Sequence, residues 1–156
     1  MKNSLNYFKT TLYASSVNEA YSRVIVSAFA AQLDPTVEEI ADIKTAVSEA
    51  VTNCIVHAYR YEDDEKKKKI YIEAFYNEKG DFTVTVKDKG CGIDDIKKAM
   101  EPLFTTDEAG ERSGMGFAIM ESFTDNLKVV SKQGKGTKVT MTKKLKFKKA
   151  LSEKSL

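Results

Sequence analysis

Ser48-Glu49-Ala50-Val51-Thr52-Asn53 lies inside a long helical pattern, and its reading decides the fold. Glu49 and Asn53 stand one helical turn apart, so both project from one face of that helix. Around them Ile40, Ile43, Val47, Ala50, Val51 and Cys54 recur at helical spacing, the stripe expected to face a core. The acid and the amide fall on the flank of that stripe, at the edge of a cleft. A wholly buried, unpartnered glutamate would be too costly. Downstream come two glycine clusters, Asp88-Lys89-Gly90-Cys91-Gly92 and Gly114-Met115-Gly116. A carboxylate beside a carboxamide can serve a hydroxyl proton and a hydrated divalent cation. Glycine turns can supply a base pocket and free amides for phosphates. The order and spacing of these pieces predict a nucleotide site.

Outward from this helix the chain reads as strands and helices without repeats or low-complexity linkers. Residues 5–13 have strand composition, and Ser16-Val17-Asn18-Glu19 predicts a capping box with Ser16 at the N-cap. The helix after it carries Ala20, Val24, Ala28 and Ala31, with Tyr21, Ile25 and Phe29 on an adjoining stripe. Asp34-Pro35 ends that helix and starts the next, over 36–57, because proline is tolerated only in a first turn. Alternating segments at 70–76 and 82–86 flank a hairpin loop at 77–81. A short helix follows at 94–100, periodicity vanishes over 101–113, and a helix resumes at 114–123. Segments 126–132 and 137–146 form a second hairpin through Gln133-Gly134-Lys135-Gly136. The expected fold is α+β: a two-layer sandwich with a mostly antiparallel, mixed sheet and helices on one face. Residues 1–146 are expected to form the single domain and 147–156 a basic, flexible tail.

The bulk properties agree. With 156 residues, 42% hydrophobic and 31% charged, the chain has the composition of a single soluble domain. No apolar run approaches the ~20 residues of a membrane span, and the start of the chain lacks the apolar core of a secretory signal. A cytoplasmic protein with no membrane and no direct nucleic-acid partner is expected, since a net charge of +2 demands neither. Cys54 and Cys91 have no metal or redox spacing, so Cys54 reads as a core residue and Cys91 as filler between glycines. His57, the lone histidine, reads as a helix-end polar residue. The acidic run 62–65 against the lysines 66–69 reads as a solvated connection. The lysine-rich end from 143 onward reads as a solvated terminus, with an acidic-partner contact as the alternative.

Each site residue has a chemical reason. Asp88 ends a strand before a glycine, so its carboxylate is presented at the sheet edge, where it can accept a hydrogen bond from an exocyclic amine and select adenine. Gly90 and Gly92 let backbone approach a flat ring without a Cβ in the way. Gly114 and Gly116 open a helix whose free amides attract phosphate, and Arg112 can reach a terminal phosphate. Asn53 offers a neutral oxygen suited to Mg2+, which takes few protein ligands. Glu49 can take a proton from an attacking hydroxyl or water. No Gly-x-x-x-x-Gly-Lys-Ser/Thr string exists, so this is not a Walker-type phosphate binder.

Together these strings resemble the Bergerat-fold ATPase superfamily of histidine kinases and gyrase. Glu49-x-x-x-Asn53 is similar to its N box, Asp88-x-Gly90-x-Gly92 to its first glycine box and Gly114-x-Gly116 to its second. Gly136-Thr137 is similar to the later element whose threonine, here Thr137, helps hold adenine. Four further strings, 30–35, 48–53, 102–106 and 111–117, resemble the sporulation anti-sigma F factor family. That resemblance implies a small protein-serine kinase using ATP, returning ADP and needing Mg2+. It also implies a homodimer that sequesters a sigma factor of the sigma F type. An unphosphorylated anti-anti-sigma protein displaces the sigma factor and is phosphorylated on serine. Carried over, Glu49 is the base and Asn53 the Mg2+ ligand. Asp88 is the adenine reader, and 105–113 is a mobile lid in which Thr105, Thr106 and Ser113, with Met115 beyond it, contact nucleotide. Such a lid can order around a γ-phosphate and so alter a nearby protein surface. Glu19 and Arg23, taken as lying on the solvent side of the first helix, are candidates for that surface. Alternatives are a general-stress-type kinase of the same family, a sequestering protein with a vestigial nucleotide site, and a gyrase-like ATP hydrolase.

Overall fold

Strict alternation of apolar and polar side chains builds the sheet of this protein. The computed structural model describes residues 3–101 and 116–146. Its strands are β1 (Ser4–Tyr13), β2 (Lys69–Asn77), β3 (Asp81–Asp88), β4 (Asn126–Lys132) and β5 (Gly136–Lys144). They form one sheet in the order β1-β2-β3-β5-β4. Every pairing among them is antiparallel, so the sheet expected to be mixed is wholly antiparallel over the described residues. One face buries Ile70, Ile72, Ala74, Phe82, Val84, Val86, Val139 and Met141. The other carries threonines that meet across strands, Thr83 with Thr142 and Thr85 with Thr140.

Among the described residues the helices lie on the apolar face of the sheet. They are α1 (Val17–Ala30), α2 (Val37–Asn53), α3 (Ile96–Ala99) and α4 (Gly116–Ser122), and α2 lies between α1 and α4. The expected stripe on α2 is the buried one: Ile43, Val47, Ala50, Val51 and Cys54 are in the core, with Ile40 at its margin. Its start is fixed by a capping box that the sequence reading placed one helix too early. Thr36 Oγ1 accepts the Glu39 N–H at 3.1 Å, and Glu39 Oε1 accepts the Thr36 N–H at 2.8 Å. Ser16 precedes α1 in helical backbone conformation and caps nothing with its side chain. Glu19, its expected partner, instead accepts a hydrogen bond from Ser48 of α2.

The buried face of α1 also differs from expectation. Ser22, Val26, Phe29 and Ala30 are buried, whereas Val24 is 60% and Tyr21 51% exposed. Crossing over α2 selects the Ser22–Val26 face, which brings a serine, and not the more apolar stripe, into the core. Ser22 is tolerated there because its hydroxyl donates to the Asn18 carbonyl at 2.6 Å.

Candidate functional site

Three sequence motifs far apart in the chain meet where α2, α4 and the end of β3 converge. Glu49 and Asn53 leave the last turn of α2, half-buried, on the flank expected of them. Gly116 opens α4 directly against them. A Cβ built at Gly116 would stand 3.2 Å from Asn53 Oδ1 and 3.4 Å from Glu49 Oε2. The separation from Asn53 is tighter than ordinary van der Waals contact and that from Glu49 is at its lower limit, so a side chain there would press on the amide and touch the acid.

Asp88 lies at the end of β3, the central strand, and not at the sheet edge as the sequence reading had it. It points into the helix layer and is only 6% exposed. Its Oδ1 accepts the Gly90 N–H at 2.9 Å and the Thr137 N–H at 3.2 Å, and Oδ2 accepts the Cys54 thiol at 3.7 Å. Burial raises the Asp88 carboxyl above the usual carboxylate range, and those three donors pull it back without cancelling the shift. Burial, reinforced by the adjacent Asp88 charge, pushes the Cys54 thiol far up. Cys54 is therefore a protonated donor at the floor of the site as well as a core residue.

The glycines of the turn after β3 serve the protein's own packing. A Cβ at Gly90 would fall 2.1 Å from the Ala58 carbonyl oxygen, and one at Gly92 2.3 Å from the Lys132 carbonyl oxygen. Gly92 also adopts φ +77°, the left-handed region. The reason for the first contact is the way α2 ends. The residues that follow it, Cys54–Ala58, form a wider, π-helical turn, which aims the Ala58 carbonyl at the Cys91 N–H, 2.8 Å away. Widened turns of this kind recur at functional sites.

Sequence reasoning missed two residues that hold this turn. Tyr59 is buried; its hydroxyl accepts the Lys89 N–H at 3.0 Å and donates to the Lys69 carbonyl. Burial raises the Tyr59 phenol, which keeps the proton that the second bond needs. Ser131 Oγ accepts the Ile93 N–H at 2.8 Å and meets Thr137 Oγ1 at 2.8 Å. Neither has a spacing signal, since both act across strands or loops.

Of the pair expected on the solvent side of α1, Arg23 keeps 42% of its side chain exposed, whereas Glu19 is turned toward α2. Glu19 faces α2, holding Ser48, and Arg23 Nε lies 3.0 Å from Glu19 Oε1. The pair therefore borders the residue preceding Glu49. Arg112, Thr105, Thr106, Ser113, Gly114 and Met115 lie outside the described residues, as does the tail from 147. Among the described residues no group of three or more His, Cys, Asp or Glu could hold a metal ion. The donor set at the site is one carboxamide and one carboxylate, which fits a cation that draws its other ligands from phosphate and water. Among the described residues, no helix is long and apolar enough to cross a membrane.

Residues 14–143 match the family model of the histidine kinase-like ATPase domain. An anti-sigma F factor of Caldanaerobacter subterraneus subsp. tengcongensis is 55% identical over 138 residues, 88% of this chain and 93% of that protein. One of Clostridium perfringens is 54% identical over 140 residues, 90% of this chain and 97% of that protein. Among solved structures, the RsbU and RsbW domains of a Mycobacterium tuberculosis protein superpose with a TM-score of 0.66 at 23% identity. That match covers 90% of this chain and 32% of the longer one. A chain of the SiaB-SiaC complex of Pseudomonas aeruginosa gives a TM-score of 0.62 at 12% identity, covering 90% and 89%. Both structures share the fold.

Proposed function

The chain belongs to the histidine kinase-like ATPase family and, within it, to the anti-sigma F factors, and from that premise we propose that it is an ATP-dependent protein-serine kinase that also sequesters a sigma factor. The sigma factor is of the sigma F type, and the phosphate acceptor is a serine of its anti-anti-sigma antagonist. The protein works as a cytoplasmic homodimer. The observation that carries this reading is the meeting of Glu49, Asn53 and Gly116 beside the buried Asp88.

The residues divide the work. Asp88, at the floor of the site, accepts a hydrogen bond from the adenine amino group, with the Thr137 amide sharing its carboxylate. Asn53 supplies one oxygen ligand to Mg2+, which neutralises phosphate charge when bound. Glu49 takes the proton of the serine hydroxyl as its oxygen bonds to the γ-phosphorus and the bond to the β-phosphate oxygen breaks, releasing ADP. Gly116 leaves room for both side chains to reach the phosphates. Arg112 and the 105–113 segment complete the phosphate side of this reading.

Incubation of the protein with γ-labelled ATP, the antagonist and the sigma factor tests it. Labelled phosphoserine on the antagonist is expected. Free phosphate without it would favour a hydrolase, and no turnover with sigma retained would favour simple sequestration. Asn53→Ala should abolish the Mg2+ dependence of ATP binding, measured by calorimetry with and without the metal. An unchanged metal dependence would remove Asn53 from the ligand set.

A further inference from the structure

A groove of about 500 Å3 lies behind the turn that carries Asp88, outside the Glu49–Asn53–Gly116 cluster. It is lined by Ala58, Gly90 and Cys91, by residues of the connection between α2 and β2, and by Lys69 and Tyr71 of β2. Lys66, Lys67, Lys69 and Lys89 converge on it, against a single acid, Glu62. Among the described residues none of these four lysines is paired with a carboxylate; the nearby Glu65 is held by Lys68, which does not line the groove.

Aromatic surface accompanies the charge. Tyr59, Tyr61 and Tyr71 line the same walls, and Lys89 Nζ sits 4.9 Å over the Tyr71 ring. Tyrosine offers apolar contact with a hydrogen-bonding tip, a composition enriched where proteins meet proteins. Lys66, Lys67 and Lys69 are neighbours in the chain and folding adds Lys89, so four cations face one acid; their mutual repulsion costs free energy that an anionic occupant relieves. The groove is also well founded: its walls are tied to one another by the Tyr59 hydroxyl between Lys89 and Lys69.

We propose that this groove docks a short, acidic, extended segment of a protein partner, its carboxylates on Lys66, Lys67, Lys69 and Lys89 and its apolar positions on Tyr61 and Tyr71. A peptide fits the charge pattern better than a nucleic acid does. The groove holds Glu62 itself, and Asp63, Asp64 and Glu65 follow it in the chain, so a continuous phosphate backbone leaving it would meet like charge. A peptide can place its few carboxylates on the lysines and pass the acidic run with neutral residues.

The test uses the full chain and a fluorescein-labelled peptide of alternating glutamate and serine, followed by anisotropy at low salt. Two double charge reversals are compared, Lys66→Glu with Lys67→Glu in the groove, and Lys128→Glu with Lys138→Glu on the exposed sheet face. Their change in net charge is identical. Expected is a loss of about tenfold or more in peptide affinity for the groove variant and less than about twofold for the sheet variant. Equal losses would reduce the effect to net charge and overturn the proposal, as would wild-type affinity in the groove variant or no peptide binding to the wild type. A thymidine oligonucleotide of equal charge, held more tightly through the same lysines, would replace the peptide by nucleic acid. Affinity for a fluorescent ATP analogue, measured on all three proteins, reports the nucleotide site separately, so a failure there is not confused with failure of the groove.

Discussion

At Gly116 the absence of a side chain is what lets Glu49 and Asn53 share one space. An alanine there gains up to about 1 kcal/mol of helix propensity and loses part of that to a contact a few tenths of an ångström too close. Gly116→Ala is therefore expected to fold with an unchanged melting temperature yet transfer phosphate about tenfold or more slowly, because small displacements of reacting groups are costly. A fall in stability matching the fall in rate would mean that the glycine serves folding alone. Asp88 makes a different prediction. Its folded-state carboxyl is raised above the ordinary value of about 3.9, so ionising it costs stability. That cost is absent below the unfolded value and complete above the folded one. ATP affinity, which in the proposed function uses the ionised form, should therefore decline on acidification earlier than for an ordinary aspartate. Asp88→Asn removes a buried charge, so stability should hold or rise, while the preference for ATP over GTP falls by about tenfold, the worth of a charged hydrogen bond. Competition titrations with both nucleotides across pH check each part.

The capping box shows what an element can and cannot reveal about itself. Ser16-x-x-Glu19 and Thr36-x-x-Glu39 have the same spacing, and local sequence cannot rank them. The choice is made by Ser48 and Arg23, which claim Glu19 after folding, and by the Lys146 N–H, which Glu39 Oε2 accepts at 2.9 Å. In α1 two apolar stripes were legible and the packed face was neither of them alone, because the crossing with α2 is fixed by residues of both helices. In α2 one continuous stripe left no choice, and the flank carrying Glu49 and Asn53 followed from it. Burial raises the Glu39 carboxyl, but hydrogen bonds from the Thr36 and Lys146 amides and the Thr36 hydroxyl more than offset this and leave it lowered. The stabilisation this brings is present above the unfolded glutamate value and is lost as pH falls through the folded one. Thr36→Ala should cost about 1 kcal/mol, a drop of about 2–4 °C in Tm for a chain of this size, with ATP affinity intact. Thermal unfolding at neutral and acidic pH measures it, and the gap between wild type and variant should narrow in acid.

On the scale of the whole molecule, the site exists because an antiparallel sheet and one layer of helices bring positions 49, 53, 88, 116 and 137 to a single end. Each motif was legible because its residues sit within one element or one turn, where spacing fixes geometry. Tyr59, Ser131 and the Ala58 carbonyl were not, because their partners come from other elements and any residue of similar size satisfies the local pattern. The architecture also separates two properties that a simple binding pocket would combine. Asp88 and Thr137 lie on the sheet side and Glu49 and Asn53 on the helix side, so in the proposed function nucleotide capture and proton removal would rest on different elements. Glu49→Ala should accordingly leave ATP affinity within about threefold of wild type and keep the sigma factor bound on gel filtration, while phosphate transfer to the antagonist falls by about 10²–10⁴. If ATP affinity fell in parallel with transfer, Glu49 would be holding the nucleotide rather than the proton, and catalysis would have to be reassigned to a group outside α2.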